Sequence, residues 1–147
     1  MRVQAVIEIP KGDGRRRHAR KEDKSTFVDL GAIAEKISVN KGIMPEHYGF
    51  IPKTWNEADG DEVDIVILGE RAYAVGETLE AVPFALLRRE DGDEKIVAFA
   101  SDEAGVTWEQ LPEERKKLIT DFFGSNSPVI AVEDAAAAEK YISSKVI

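Results

Sequence analysis

The residues best suited to chemistry are three aspartates that lead into an apolar run, Asp59-Gly60-Asp61-Glu62-Val63-Asp64 followed by Ile65-Val66-Ile67-Leu68. Asp59 and Asp61 are two positions apart, so in an extended backbone their side chains project to the same side. Asp64 lies at the mouth of the predicted strand. Close carboxylates repel one another unless water or a cation neutralises them, and a hard cation such as Mg²⁺ prefers oxygen ligands. The pattern indicates a metal site, although an Asp-Gly turn in a solvated acidic loop would have the same sequence.

A second charged segment, from Lys11 to Lys24, is basic. It contains seven of the 20 basic residues of the chain, namely Lys11, Arg15, Arg16, Arg17, Arg20, Lys21 and Lys24. Only Asp13, Glu22 and Asp23 oppose them. On a protein that also carries an aspartate cluster, this segment suits a small polyanion bound together with metal. The alternative is a solvated hairpin tip.

Composition excludes several classes of function. The 147 residues, of which 43% are hydrophobic and 33% charged, predict one folded domain over 1–147. A formal net charge of -8 disfavours general nucleic-acid binding. The absence of cysteine excludes disulfides and cysteine nucleophiles. No apolar stretch is long enough to span a bilayer and no secretory segment is evident, so we expect a cytoplasmic protein without a membrane partner.

The elements that must position these residues are short strands followed by helices. Apolar patterns predict strands over 2–9, 16–20, 26–30, 63–68, 78–88 and 95–100, and a short aromatic stretch over 48–51 precedes Pro52. A short amphipathic helix is predicted over 31–41. An apolar face within 111–123 predicts another helix, and Asp134 is a suitable N-cap for a last helix over 135–145. This order predicts an α+β, mainly β fold, a small barrel or tightly curled sheet with helices packed outside.

The motifs and their order resemble those of the soluble family I inorganic pyrophosphatases. The matching blocks are Val6 to Pro10, Tyr48 to Pro52, Asp59 to Asp64, Asp91 to Ala98, Leu111-Pro112 through Phe122-Phe123, and Glu133 to Ala137. The aspartate block fits the family signature of Asp, a small residue, Asp, Pro or Glu, an apolar residue and Asp. The resemblance covers nearly the whole chain. It implies an OB-like closed five-stranded β-barrel with two flanking C-terminal helices.

The resemblance also implies an activity, the Mg²⁺-dependent hydrolysis of pyrophosphate with several Mg²⁺ ions per site, and commonly a homohexamer. The metal ligands that it implies are Asp59, Asp64, Asp93, Asp91 and Glu8. The catalytic and phosphate-contacting residues that it implies are Asp61, Lys95, Tyr48 and Arg17. Asp61 would accept the proton of the attacking water. Because the turn around Asp91 is short, Glu90 could take the place of Asp91.

Several phosphate-binding positions depart from the family pattern. The departures are Ala19 for a glutamate, Leu30 for an arginine, Met44 for a tyrosine, and Asn126-Ser127 for a tyrosine and a phosphate-binding lysine. Two explanations are open. Basic residues could replace the missing cations, the candidates being Arg15, Arg16, Arg17, Arg20 and Lys41. Alternatively, the chain is a divergent homologue with weak activity, another phosphate-ester substrate, or phosphate or nucleotide binding only. Retention of every core aspartate favours the enzyme.

Overall fold

The computed structural model describes residues 1–103 and 105–147, and its strands form a closed barrel with an attached hairpin. In chain order, the strands are β1 (Val3–Ile9), β2 (Arg15–Ala19), β3 (Phe27–Ala32), β4 (His47–Asn56), β5 (Asp61–Leu68), β6 (Thr78–Arg89), β7 (Lys95–Ala100) and β8 (Val129–Glu133). The helices are α1 (Glu113–Phe123), which precedes β8, and α2 (Ala135–Lys145), which follows it. Strands β1, β4, β5, β7 and β6 pair in that order, and β1 also pairs with β6, which closes the barrel. The predicted five-stranded barrel with two C-terminal helices is therefore confirmed.

Strand β5 is a continuous apolar run because both of its faces are covered. Ile65 and Ile67 are fully buried in a cluster that includes residues of α2, whereas Val66 and Leu68 are fully buried in a second cluster with α1. Strands buried on both faces lose the alternation of polar and apolar residues. The pairing of β5 with β7 is parallel and sets Asp64 opposite Lys95. The core thereby fixes the register of two charged residues at its edge.

The predicted helix over 31–41 is wrong. Strand β3 continues to Ala32, and two short 3₁₀ turns follow, Ile33–Glu35 and Val39–Gly42. Asn40 has a left-handed backbone with φ of 53°, and its side-chain amide donates a hydrogen bond to the Ile43 carbonyl at 2.8 Å. Such a local bond offers the backbone an alternative to a helix. The segment therefore folds as turns under the β2–β3 hairpin.

The strand predictions are incomplete, whereas the two predicted C-terminal helices are confirmed. Strand β4 extends to Asn56, past Pro52, and β8 was not predicted. Helix α1 covers most of the predicted 111–123 segment. The Asp134 carboxylate caps α2 by accepting a hydrogen bond from the Ala137 amide at 3.1 Å. No helix in the described part of the chain is long and apolar enough to cross a membrane.

Candidate metal and phosphate site

A cavity of about 390 Å³ opens at the edge of the barrel beside the β2–β3 hairpin. Its wall includes every predicted site residue except Asp91, namely Glu8, Arg17, Tyr48, Asp59, Asp61, Asp64, Asp93 and Lys95. These residues come from β1, β2, β4, β5, β7 and the turns before β5 and β7. The structure therefore brings together residues that are up to 87 positions apart in the sequence, from Glu8 to Lys95.

Three carboxylates form the acidic wall of this cavity. Asp59, Asp64 and Asp93 each offer one oxygen, and these oxygens all lie within 4.8 Å of one another. Lys95 lies between two of them, with its Nζ 2.6 Å from Asp64 Oδ2 and 3.2 Å from Asp93 Oδ2. The same Nζ donates a hydrogen bond to the Tyr48 hydroxyl at 2.9 Å. The Lys95 ammonium group therefore contacts two of the three acids directly.

The electrostatics of the cluster fit a divalent cation. Burial and the charges of Asp93 and Asp64 raise the pKa of Asp59 to about 7. Burial also raises the pKa of Asp64 to about 6, although Lys95 opposes the shift. The buried Oδ1 of Asp93 has no hydrogen-bond partner among the described residues. Burial acts to raise the pKa of Asp93 as well, but the charge of Lys95 and side-chain hydrogen bonds outweigh it and lower that pKa. The unpartnered oxygen beside two carboxylates that resist ionisation marks a set of oxygen ligands that lacks positive charge.

Asp61 lies apart from these three acids and has its own partners. Its Oδ2 is 2.6 Å from His18 Nε2, and its Oδ1 accepts a hydrogen bond from the Glu62 amide at 2.9 Å. Burial acts to raise the pKa of Asp61, but the hydrogen bonds of Glu62 and the charges of His18 and Lys24 outweigh it and lower the pKa. Asp61 is consequently ionised at neutral pH and able to accept a proton.

Glu8 connects the barrel to the hairpin. Its side chain is buried, and Oε2 accepts a hydrogen bond from the Ala19 amide at 2.7 Å. Burial raises the pKa of Glu8 to about 7. The small side chain at position 19, a departure from the family pattern, is buried beside this contact. Glu8 therefore faces the cavity and also holds β2 in place.

The basic wall differs from the one that the sequence suggested. Of the five candidate replacement cations, Arg16 and Arg17 line the cavity, while Arg15, Arg20 and Lys41 are not among the described residues that line it. Arg15 instead pairs with Asp29, with 3.0 Å between Nη2 and Oδ1. Arg17 pairs with Asp13. Arg89 and Lys36, which sequence reasoning missed, also line the cavity.

Asp91 is the predicted ligand that the structure leaves outside. Its side chain is 48% exposed, and Oδ1 accepts a hydrogen bond from the Asp93 amide at 3.0 Å. The Asp91 amide donates to Ser127 Oγ at 3.0 Å. These bonds hold it in the turn between β6 and β7. The exposed Glu90, its suggested substitute, is likewise absent from the described cavity wall.

The remaining departures from the family pattern form an apolar part of the wall. Leu30 and Met44 line the cavity together with Asn126. Other apolar residues of the wall are Ile9, Ile33, Ile37, Phe122 and Phe123. The cavity thus has an acidic side, a basic side and an apolar margin.

Carboxylate oxygens and cations that line one cavity at the edge of an OB-like barrel can bind a metal ion together with a phosphate group. The family described as inorganic pyrophosphatase matches residues 5–145. An inorganic pyrophosphatase of Aquifex pyrophilus is 32% identical over 82% of this chain and 70% of the relative. Soluble inorganic pyrophosphatase 2 of Chlamydomonas reinhardtii is 30% identical over 94% of this chain and 74% of the relative.

Solved structures agree with this assignment. The crystal structure of an inorganic pyrophosphatase from Neisseria gonorrhoeae superimposes with a TM-score of 0.84 at 27% identity, over 98% of this chain and 88% of that one. The structure of the inorganic pyrophosphatase from Ehrlichia chaffeensis gives a TM-score of 0.84 at 25% identity, covering 99% and 93% of the two chains. The chain belongs to the inorganic pyrophosphatase family, as a divergent member of family I.

Proposed function

We propose that this protein hydrolyses inorganic pyrophosphate to two phosphates in a Mg²⁺-dependent reaction. The observation that carries the proposal is the cluster of Asp59, Asp64 and Asp93, with its unpartnered buried oxygen, facing basic side chains across one cavity. Membership of the pyrophosphatase family supports the choice of substrate.

The residues that would hold Mg²⁺ are Asp59, Asp64 and Asp93, with Glu8 facing the same cavity. Bound divalent cations supply positive charge that lowers the pKa of water and offsets charge on phosphate oxygens. A contribution of Asp91 to metal binding stays a prediction.

Asp61 is the proposed general base. Hydrolysis forms a bond between water oxygen and one phosphorus and breaks the bond from that phosphorus to the bridging oxygen. The water must lose a proton as it attacks, and the ionised Asp61 carboxylate can accept it. The 2.6 Å contact with His18 fixes the orientation of this carboxylate.

Lys95, Tyr48 and Arg17 are the proposed contacts to phosphate. The planar guanidinium of Arg17 can bind two phosphate oxygens at once. Burial acts to lower the pKa of Lys95, but Tyr48, Asp64 and Asp93 outweigh it and raise the pKa, so the ammonium group stays charged. Together these groups would place the electrophilic phosphorus beside Asp61.

The deciding experiment is the release of phosphate from pyrophosphate in the presence of Mg²⁺. Asp61→Asn is expected to lower kcat by about 100-fold to 10,000-fold, the range for loss of a general base. Asp121→Asn is the matched control, because Asp121 pairs with Lys117 on α1 and is not among the described residues of the cavity wall. The absence of phosphate release from the wild type with Mg²⁺, Mn²⁺ and Zn²⁺ would refute the proposal.

A second candidate is a phosphate or nucleotide binder without turnover on the same fold. The observation that favours it is the presence of Leu30, Met44 and Asn126 on the cavity wall. Calorimetry with pyrophosphate or nucleoside triphosphates and Mg²⁺ would then show saturable binding while phosphate release stays at background. A homo-oligomeric assembly, a homohexamer by resemblance, stays a prediction. The cytoplasmic location and the single-domain organisation also stay predictions.

A further inference from the structure

We propose that Arg89 is a substrate-binding residue that contacts a phosphate group, a role which rests on the proposed function of this cavity. Arg89 ends β6 and lines the cavity next to Asp93. It was absent from the cations that the sequence suggested for phosphate binding. The residue would supply a buried positive charge from the barrel itself rather than from the hairpin.

The burial of Arg89 is the first observation. Its side chain is 7% exposed, whereas that of Arg17 is 25% exposed and that of Arg15 is 47% exposed. A guanidinium that leaves water must be compensated by partners of opposite charge, because desolvation of a charge costs several kcal/mol. A charge in such a position is poorly screened by solvent and therefore attracts an anion more strongly than a surface arginine does.

The donors of Arg89 are only partly used. Its Nη1 donates to the Asp93 carbonyl at 3.3 Å and lies 3.2 Å from Asp93 Oδ2, while Nε donates to the Ser127 carbonyl at 3.5 Å. Its Nη2 is 3.6 Å from Asp91 Oδ2, which is too long for a hydrogen bond. An arginine carries five N–H donors, so capacity for an anion remains.

Neutralising Asp93 does not by itself explain this arginine. The same Asp93 Oδ2 already has Lys95 Nζ at 3.2 Å. The other acidic neighbour of Arg89, Asp91, is half exposed and can be solvated by water. Two cations therefore lie near one carboxylate oxygen at the cavity wall. Both can also attract a polyanion that binds in the cavity.

The guanidinium of Arg89 lies beside a position where the family pattern has a basic residue that this chain lacks. Ser127 stands where the family pattern has a basic residue, and the guanidinium of Arg89 lies against the backbone of Ser127. The cation in this corner of the site is thus supplied by β6. The burial of Arg89 and its unused donors do not depend on this correspondence with the family pattern.

The neighbouring Arg88 provides a matched control. Its side chain is 39% exposed, bonds to Glu133 of β8 and is not among the described residues that line the cavity. The two adjacent side chains have different partners, because Arg88 bonds to Glu133 whereas Arg89 contacts Asp93 and the Ser127 carbonyl. A phosphate-binding role should therefore be confined to Arg89.

The experiment measures pyrophosphate binding by calorimetry with Mg²⁺ in Asp61→Asn protein, so that binding is separated from turnover. Adding Arg89→Met is expected to raise the Kd for pyrophosphate by about 10-fold to 100-fold, the loss typical of hydrogen bonds to a charged group. Adding Arg89→Lys should raise it by a smaller factor, since charge without the planar fork recovers part of the binding. Adding Arg88→Met should leave the Kd within twofold.

A purely structural role predicts a different result. The affinity for Mg²⁺ alone and the melting temperature are measured for the same variants. An unchanged Kd for pyrophosphate in Arg89→Lys and Arg89→Met overturns the proposal, as does a rise that is matched by Arg88→Met or by an equal loss of Mg²⁺ affinity. If Arg89→Met does not fold, Arg89→Lys alone decides. Absence of hydrolysis by the wild type would refute the proposed reaction, while the Kd comparison would still test Arg89.

Discussion

The acidic wall of the cavity (Asp59, Asp64 and Asp93) and its hairpin wall (Arg16 and Arg17 of β2) are built in different ways. Asp64 and Lys95 face each other on paired strands of a closed barrel, and their register is set by buried residues on either side. Arg16 and Arg17 lie on β2, which pairs only with β3 in a separate two-stranded sheet. An isolated two-stranded hairpin is marginally stable. Asp64 is therefore fixed by the barrel itself, Asp59 and Asp93 lie on the turns before β5 and β7, and the position of the hairpin wall depends on how the hairpin is held.

An apolar cluster and several polar contacts, among them that of His18 with Asp61, anchor the hairpin to the barrel. Ala19 and Phe27 pack against Val6 and Phe50, and the Ala19 amide bonds to Glu8. The pairing of β5 with β7, which carries Asp64 and Lys95, does not involve the hairpin. Hairpin residues such as Ala19 and Leu30 can therefore differ from the family pattern while Asp64 and Lys95 keep their places.

The largest loss of activity is expected when one carboxylate of the acidic wall is removed. Asp64→Asn should lower kcat/KM about 1,000-fold, because loss of a metal ligand removes several kcal/mol of charge stabilisation. It should also raise the Mg²⁺ concentration that gives half-maximal activity. Steady-state kinetics at several Mg²⁺ concentrations measure both. Asp29→Asn, on the hairpin outside the described cavity wall, should behave like the wild type, and equal losses for the two variants would remove the distinction between the walls.

A smaller loss of activity is expected when a cation of the hairpin wall is removed. Arg17→Met should lower kcat/KM by about 10-fold to 100-fold, mainly through KM, because a charged hydrogen bond to phosphate is lost. Arg17→Lys should recover part of the loss. Arg15→Met serves as the control, since Arg15 pairs with Asp29 and leaves the cavity wall unchanged. A wild-type KM for Arg17→Met would show that the hairpin does not reach the substrate.

The buried carboxyl groups of the cavity should make the stability of the protein depend on pH, and this can be measured without any substrate. Burial raises the pKa of Glu8 from 4.5 to about 7 and that of Asp64 from 3.8 to about 6. Carboxyls whose pKa is raised on folding stabilise the protein fully below their unfolded pKa, and this contribution is lost as pH rises through the folded pKa.

The melting temperature of chelator-treated protein should accordingly fall by about 5 °C between pH 4.5 and pH 7. Added Mg²⁺ should reverse most of the fall at pH 7 and little of it at pH 4.5. Thermal scans with and without Mg²⁺ measure this difference. A melting temperature that rises with pH over this window would contradict the assignment of the buried acids.

The smallest effect is expected at the mouth of the cavity. Lys36 lines the cavity but is exposed, so its charge is screened by solvent and salt. Lys36→Met should raise KM about twofold at low salt and have no effect near 1 M salt, where the screening length is about 3 Å. Kinetics over a salt series test this, with Lys117→Met on α1 as the control. A loss that persists at high salt would instead place Lys36 in direct contact with substrate.

Local patterns predicted the parts of the site whose geometry is local. The spacing of Asp59, Asp61 and Asp64 before an apolar strand indicated a metal site, whereas Asp93 entered only through the resemblance to the family. Arg89 and His18 were missed as site residues because their approach to Asp93 and Asp61 depends on closure of the barrel and docking of the hairpin. No local signal distinguishes Arg89 from Arg88 without the positions of β7 and β8.

The errors in secondary structure have the same origin. The segment after β3 has apolar residues at helical spacing, yet Ile33 is buried as part of a turn and Asn40 takes a left-handed backbone. Strand β8 is short and only partly buried, and it forms by pairing with β6, far away in sequence. Such choices follow from tertiary contacts, which override local preference.

The contact of Lys95 with Asp64 and Asp93 bears on how the protein matures. Its ammonium group is held by the β5–β7 ladder and serves as an internal counter-ion for the acids. The barrel can therefore close before any divalent cation arrives, and metal loading becomes a separate, reversible event. Under the proposed function, folding of the chain would therefore precede the binding of magnesium.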